Sequence, residues 1–180
     1  MEGLSWQQQQ ILLETARKTV EAVAKNDPLP SPPPREGVLA ESRGIFVTLH
    51  RNDQLRGCIG YIMGVEPLNT AVIRMAKAAC SEDPRFPRVK PEELDDLQIE
   101  ISVLTPLEKV ENIEDIEVGE DGLLIKNGFY QGLLLPQVAT ENNWDREQFL
   151  NHTAMKAGLP PSAWNDPLTE IYKFQAQIFS

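Results

Sequence analysis

Cysteine and histidine are scarce in this 180-residue chain, which has two of each. Neither Cys58 nor Cys80 belongs to a Cys-x-x-Cys pair or to a cluster of cysteine and histidine, so we predict no metal site and no cofactor. Unpaired thiols are typical of the reducing cytoplasm. Long apolar runs are also missing, because none approaches a membrane span and residues 1–25 hold no apolar signal-peptide core. We therefore expect a cytoplasmic protein without a membrane segment.

Basic residues are few as well, since 17 lysines and arginines stand against 27 aspartates and glutamates and leave a net charge of −10. Such a field repels the phosphate backbone and makes nucleic acid an unfavoured partner. One local basic group departs from this average and keeps RNA binding as an alternative; it contains Arg74, Lys77, Arg85, Arg88 and Lys90.

Apolar residues recur at helical spacing in three segments of the chain. A capping box formed by Ser5 and Gln8 starts the first segment. The predicted helices cover about residues 5–26, 67–80 and 145–157. The proline-rich segment at about residues 28–36 lacks the backbone donors that a helix or central strand needs. We interpret it as an extended connector within one domain that spans residues 1–180.

Alternating apolar and polar residues predict the strands, most clearly from Leu97 to Val103. Two hairpins are expected, around Asn52-Asp53 and around Asn127-Gly128. A final strand is expected over residues 172–178. Because hairpins outnumber strand-helix-strand units, the predicted fold class is α+β, a largely antiparallel sheet with packed helices.

The segment Leu55-Arg-Gly-Cys-Ile-Gly60 resembles the hallmark hexapeptide of the AMMECR-type domain family, whose bacterial and archaeal members are called AmmeMemoRadiSam system protein A. Further matches follow in the order of the family and extend over essentially the whole chain. They are Asp83-Pro-Arg-Phe86, Glu100-Ile-Ser-Val-Leu-Thr-Pro106, Leu135-Pro-Gln-Val-Ala139 with Glu141 and Trp144, and Lys156-Ala-Gly-Leu159.

The resemblance implies an α+β sandwich with a larger and a smaller subdomain. It also implies partners, because similar proteins are typically encoded beside a radical-SAM enzyme and a Memo-like protein related to extradiol dioxygenases. It implies no agreed reaction. Two residues depart from the family pattern: Asp121 stands where relatives often carry histidine, and Ala154 stands where many carry cysteine.

Cys58 is the candidate catalytic residue. Gly57 and Gly60 leave room for a ligand or for backbone near it, and the guanidinium of Arg56 favours a reactive thiolate. The alternative is structural, with Cys58 as a small strand residue between glycines that mark a bulge or tight packing. This alternative stays open, as does a non-catalytic module in which the hexapeptide shapes a groove for a partner protein.

A cysteine nucleophile needs a base, and His50 and His152 are the imidazoles of the chain. If Asn52-Asp53 is a two-residue loop, His50 pairs with Leu55 and Cys58 pairs with Val47, which places the side chains of His50 and Cys58 on opposite faces of the sheet. A three-residue loop instead places Thr48 opposite Cys58 and His50 on the same face. The sequence leaves both registers open, and His152 is equally consistent with an ordinary helix position.

Three basic side chains, on Arg56, Arg85 and Lys156, are candidates for binding a small anionic ligand, with Asp83 orienting an arginine. The alternative for Asp83-Pro-Arg-Phe86 is a turn held by its own Asp-Arg pair, with Phe86 in the core. Glu100 is a candidate acid or base on the polar face of its strand. Glu141 and Trp144 are candidates for a pocket wall, although tryptophan beside a helix start often packs in a core.

Overall fold

The computed structural model describes residues 3–180, which divide into two compact units. The α-helices are α1 (Trp6–Lys25), α2 (Leu68–Ser81), α3 (Pro136–Glu141) and α4 (Arg146–Lys156). The strands are β1 (Ile45–Arg51), β2 (Gln54–Tyr61), β3 (Leu97–Leu104), β4 (Glu108–Lys109), β5 (Gly122–Asn127), β6 (Tyr130–Leu134), β7 (Glu170–Phe174) and β8 (Ala176–Phe179). Helices and antiparallel strand pairs together confirm the predicted α+β class.

The first unit comprises residues 3–104 and 177–180, and its sheet has the strand order β2-β1-β3-β8. Helix α1 starts at the predicted capping box, in which Ser5 and Gln8 bond each other's backbone, and it ends at Asn26 in a left-handed conformation. Helices α1 and α2 cover one face of the sheet. Val47 and Leu49 of β1 and Ile101 of β3 point into that core and are fully buried, so alternate residues of β1 and β3 lie on the other face.

The second unit comprises residues 105–176 and has its own four-stranded sheet, in the order β4-β7-β5-β6. Its core packs Leu123 and Ile125 of β5 against Phe149 and Leu150 of α4. Helix α4 begins at Asp145 with a second capping box, completed by Gln148. None of the helices within residues 3–180 is long and apolar enough to cross a membrane.

The strand pattern at the C-terminus differs from the prediction. A single strand over residues 172–178 is wrong, because the chain interrupts it at Gln175 and places β7 and β8 in different sheets. Gln175 exchanges hydrogen bonds with Thr105, whose hydroxyl and amide replace the strand ladder at that point. Alternation of apolar residues continues across the break, so the sequence pattern does not show it.

The second hairpin turns one residue later than predicted. Asn127 pairs with Tyr130, which makes Gly128-Phe129 the two-residue loop instead of Asn127-Gly128. Gly128 alone takes a positive φ there, +58°, and Phe129 lies fully exposed at the tip. Glycine at the first loop position supplies the conformation that a hairpin turn requires.

Candidate functional site

A β-bulge in the first hairpin decides which way Cys58 points. The loop has two residues, Asn52 and Asp53, both with positive φ, as a type I′ turn requires. His50 therefore pairs with Leu55, but Arg56 has no opposite residue, and beyond it Thr48 pairs with Cys58. The structure therefore has the two-residue loop of the first predicted register. Beyond the bulge, however, it has the Thr48–Cys58 pairing that was predicted for a three-residue loop.

Cys58 consequently lies on the face of the sheet turned away from α1 and α2, which we call the distal face. This face carries Phe46, Thr48 and His50 of β1, Cys58 and Gly60 of β2, and Gln98, Glu100 and Ser102 of β3. The Cys58 side chain is half-buried, and its sulfur lies 3.2 Å from the Thr48 hydroxyl. His50 lies two residues from Thr48 on the same face, and no hydrogen bond joins it to Cys58 among residues 3–180.

Gly57 lets the end of α2 lie directly against β2. A Cβ atom added at Gly57 would stand 2.1 Å from the carbonyl oxygen of Ala79, which is far inside contact distance. This close approach carries the chain after α2 to the free edge of β2. Gly60 makes room in the same way for the ring of Phe46, which a Cβ at position 60 would meet at 2.4 Å.

Asp83 and Arg85 close the edge of β2 at Cys58. As an edge strand, β2 leaves backbone groups unpaired. The Cys58 amide donates to Asp83 Oδ2 at 2.9 Å, and Arg85 Nη2 donates to the Cys58 carbonyl at 3.3 Å. Asp83 and Arg85 also form a bidentate pair, with Nε–Oδ1 at 3.0 Å and Nη2–Oδ2 at 2.7 Å. The turn held by its own ion pair is present, but Phe86 is half-buried rather than in the core.

The two charges of this pair differ in exposure. Asp83 is buried, while the Arg85 side chain is 55% exposed. The Arg85 hydrogen bond holds the pKa of the Asp83 carboxyl well below its usual range, and the amides of Cys58 and Arg85 act in the same direction. The hydrogen bond to Asp83 is the main cause that raises the pKa of Arg85. Because Arg85 Nη2 also bonds the Cys58 carbonyl, the guanidinium lies next to the residue that carries the thiol.

Arg56, by contrast, has its donors occupied. Its Nε and Nη2 bond the two carboxylate oxygens of Glu93 at 2.8 and 3.0 Å, and its Nη1 donates to the Pro87 carbonyl at 2.9 Å. Both side chains of the pair are 12% exposed. Arg56 lowers the pKa of Glu93 to about 2. Arg56 thus joins the bulge to the segment before β3, and its predicted role in ligand binding remains a prediction.

Cys80 lies in a very different environment. It is 1% exposed, near the C-terminal end of α2, and its sulfur donates to the Lys77 carbonyl. Burial raises the pKa of the Cys80 thiol to about 11. This cysteine is part of the core of the first unit.

The remaining predicted residues belong to the second unit. Lys156 is exposed at the end of α4, and Glu141 is exposed at the end of α3. The ring of Trp144 stacks on that of His152, with centroids 3.8 Å apart and planes at 3°. Asp121, at the position where relatives often carry histidine, is buried and paired with Lys173. Ala154 is fully buried in the core of this unit.

Two residues near the site, Glu93 and Ser102, were not predicted from the sequence. Glu93, the partner of Arg56, lies 37 residues away, and no local pattern links the two. Ser102 lies on the distal face beside Glu100. The period-two pattern of β3 already places Ser102 on the same face as Glu100, so this position could have been predicted from the sequence. Within residues 3–180, no three cysteine, histidine, aspartate or glutamate side chains come together in a way that would hold a metal ion.

Comparison with known proteins gives one consistent result. The model of the AMMECR1 family matches residues 13–179. A protein of Methanothermobacter thermautotrophicus is 51% identical, over 98% of this chain and 95% of its own, and a protein of Thermococcus kodakarensis is 49% identical, over 94% and 88%. The crystal structure of an uncharacterized protein from Pyrococcus horikoshii superposes with a TM-score of 0.84 at 46% identity, over 93% of this chain and 88% of that one.

Proposed function

Because this chain belongs to the AMMECR1 family, we propose that it is a cytoplasmic component of a pathway shared with a radical-SAM enzyme and a Memo-like protein. In this proposal Cys58 is the residue through which the protein acts on a small anionic molecule or a modified residue. The family context implied by the sequence motifs supports the choice of pathway. The arrangement around the thiol supports the choice of residue.

One observation carries the proposal: Cys58 is a half-buried thiol whose backbone and side chain are both fixed. Asp83 and Arg85 bond its amide and carbonyl, and Thr48 bonds its sulfur. A thiol that is accessible, oriented by a hydroxyl and close to a guanidinium has the surroundings of a reactive cysteine.

Strains that carry single substitutions test this role. Cys58→Ser should give the same metabolite changes as deletion of the gene, while the purified variant melts close to the wild-type temperature because its side chain is similar in size. Cys80→Ala is the matched control and should leave the metabolites as in the wild type. A Cys58→Ser strain with wild-type metabolites would show that the thiol is dispensable and the proposal wrong.

A second candidate function is a binding module without catalysis. Met63 and Val65, which follow the hexapeptide, are 66% and 67% exposed, and exposed apolar side chains are typical of surfaces that bind another protein. Under this hypothesis Met63→Asp abolishes function in the cell and Cys58→Ser does not. Comparison of the Met63→Asp strain with the Cys58→Ser strain therefore separates the two functions.

A further inference from the structure

A cavity lies between α1 and β3 in the first unit. Its volume is about 710 Å³, and it is lined by four residues of α1 between Gln10 and Arg17, by residues 97–99 of β3 and by Ser180. Clefts that bind ligands in proteins have volumes of about 300–1,000 Å³. Strand β1 separates β3 from β2, which carries Cys58, so this cavity is a second place at which the protein can bind another molecule.

The part of β3 in this cavity has no neighbouring strand on its outer side. Strand β8 has four residues and β3 has eight. The two strands meet at Thr105, directly after β3, whose amide donates to the carbonyl of Gln175, directly before β8. Counted back from that bond, β8 runs antiparallel beside residues 101–104 and ends there. Residues 97–99 therefore form an open edge, which we call the β3 edge.

The backbone of Ile99 points toward the open side of the β3 edge. Along a strand, the amide and carbonyl groups of successive residues point alternately to the two sides. The Cys58 amide and carbonyl are bonded on the side away from β1, so those of Thr48, opposite it, point toward β3. Thr48 thus forms a hydrogen-bonded pair with Glu100. The groups of Ile99, the residue before Glu100, therefore point away from β1.

Arg17 occupies the other outward position of the β3 edge. The carbonyl of Leu97, two residues before Ile99, accepts from Arg17 Nη2 at 2.6 Å, and Nη1 of the same guanidinium donates to the Leu94 carbonyl at 3.2 Å. Between residues 3 and 180, no group outside the strands bonds the Ile99 amide or carbonyl. Unpaired backbone groups at the edge of a sheet are a ready template for another strand. Ile99 thus offers one donor and one acceptor to such a strand.

Helix α1 forms one wall of the cavity. Gln10, Leu13 and Arg17 are spaced three and four residues apart, so they share one face of the helix. Trp6 precedes Gln10 by four residues on the same face, and it is 74% exposed. Leu13 packs against the core and also lines the cavity. The wall therefore offers apolar and aromatic surface to the side chains of an added strand.

We infer that the cavity takes an extended segment of a partner protein, which joins the sheet as a strand along the β3 edge. Its backbone exchanges two hydrogen bonds with Ile99, and one of its apolar side chains packs on Leu13. A basic residue of the segment lies near Glu14, whose pair with Lys18 is exposed on both sides and therefore weak. The net charge of −10 favours a basic segment in the same way. This inference goes beyond the function proposed for Cys58 and does not depend on it.

Amide hydrogen exchange of the free protein tests the β3 edge itself. The Glu100 amide bonds β1, whereas the Ile99 amide is unpaired, so Ile99 should exchange at least about 100-fold faster than Glu100. Equal protection of the two amides in dilute protein would mean that the edge is closed, and it would overturn the inference. Protection of Ile99 that increases with protein concentration would identify a second copy of this chain as the occupant and would overturn the assignment to a partner.

Peptides selected from a display library of random seven-residue sequences are the probe, with the full chain as the target. A selected peptide should contain alternating apolar residues and a basic residue, and it should slow exchange of the Ile99 amide at least about tenfold. Two N-methylated forms then separate the two edges of the peptide. Methyl groups on one alternate set of amides should weaken binding at least about tenfold, and methyl groups on the other set less than about twofold.

Variants of the α1 wall show whether the peptide occupies this cavity. Leu13→Lys removes the apolar contact and should weaken peptide binding at least about tenfold. Glu14→Lys, at an exposed position where folding is not at risk, should weaken it about threefold. Gln7→Lys adds the same side chain at an exposed position of α1 outside the cavity and should leave binding unchanged. Equal affinity in all three variants, equal binding of both N-methylated forms, or a library without a peptide that protects Ile99 would each overturn the inference.

Discussion

The two cysteines lie in neighbouring elements, β2 and α2, and yet their surroundings have little in common. Cys58 is half-buried on an edge strand, with a hydroxyl, a carboxylate and a guanidinium around it. Cys80 is buried among apolar side chains, and its pKa is raised to about 11. One thiol therefore lies among polar groups at the surface of the sheet, and the other lies where it can only pack.

Loss of Asp83 should have the largest effect on stability, because it leaves the Cys58 amide and the Arg85 guanidinium without their acceptor. We expect Asp83→Ala to lower the free energy of unfolding by about 2 kcal/mol, chiefly because the Cys58 amide loses its acceptor. Urea denaturation measures it, with Asp95→Ala, an exposed aspartate, as the control. A loss no larger than that of the control would mean that the pair does not hold the edge of β2.

The contribution of Asp83 should also depend on pH in a defined direction. Its pKa is lowered in the folded protein, so the folded state favours the ionised form. The stabilisation is complete above the unfolded value of about 4 and is lost as the pH falls below it. The difference in unfolding free energy between the wild type and Asp83→Ala should therefore shrink between pH 5 and pH 2.

Gly57→Ala should disturb the contact between β2, which carries Cys58, and α2, which carries Cys80. The new methyl group would lie 2.1 Å from the Ala79 carbonyl oxygen, and a backbone oxygen cannot move aside as a flexible side chain can. We expect a loss of about 2 kcal/mol from overpacking, together with faster alkylation of Cys80 as the end of α2 is displaced. Gly3→Ala is the control, because a Cβ there first meets the end of the flexible Gln177 side chain, at 3.2 Å, and no backbone atom. If Cys80 stays protected in Gly57→Ala, then the contact between α2 and β2 does not guard it.

Local patterns were sufficient to predict most of the elements. The capping box at Ser5 and the alternation in β3 each act within a few residues, and the structure has them as expected. The break at Gln175 depends on Thr105, 70 residues away, which no local pattern can reveal. Sequence could therefore predict the class of the fold and most element bounds, but not the point at which the last strand changes sheets.

The candidate site was predictable to a similar degree. The hexapeptide and the Asp83–Arg85 pair were found from the sequence because each is a short motif. The bulge at Arg56 was not, since it depends on how β1 and β2 adjust to each other and on the Arg56–Glu93 pair. Without the bulge, the distal face would not carry both Thr48 and Cys58.

Alkylation of the native protein by iodoacetamide at neutral pH, followed by mass spectrometry, tests the central claim most directly. With a pKa of about 11, only about one Cys80 thiol in 10,000 is ionised at pH 7, and burial keeps the reagent away from it. We predict that Cys58 is modified at least about 100-fold faster than Cys80. Equal rates, or slow modification of Cys58 together with a large loss of stability in Cys58→Ser, would show that this thiol also belongs to the core.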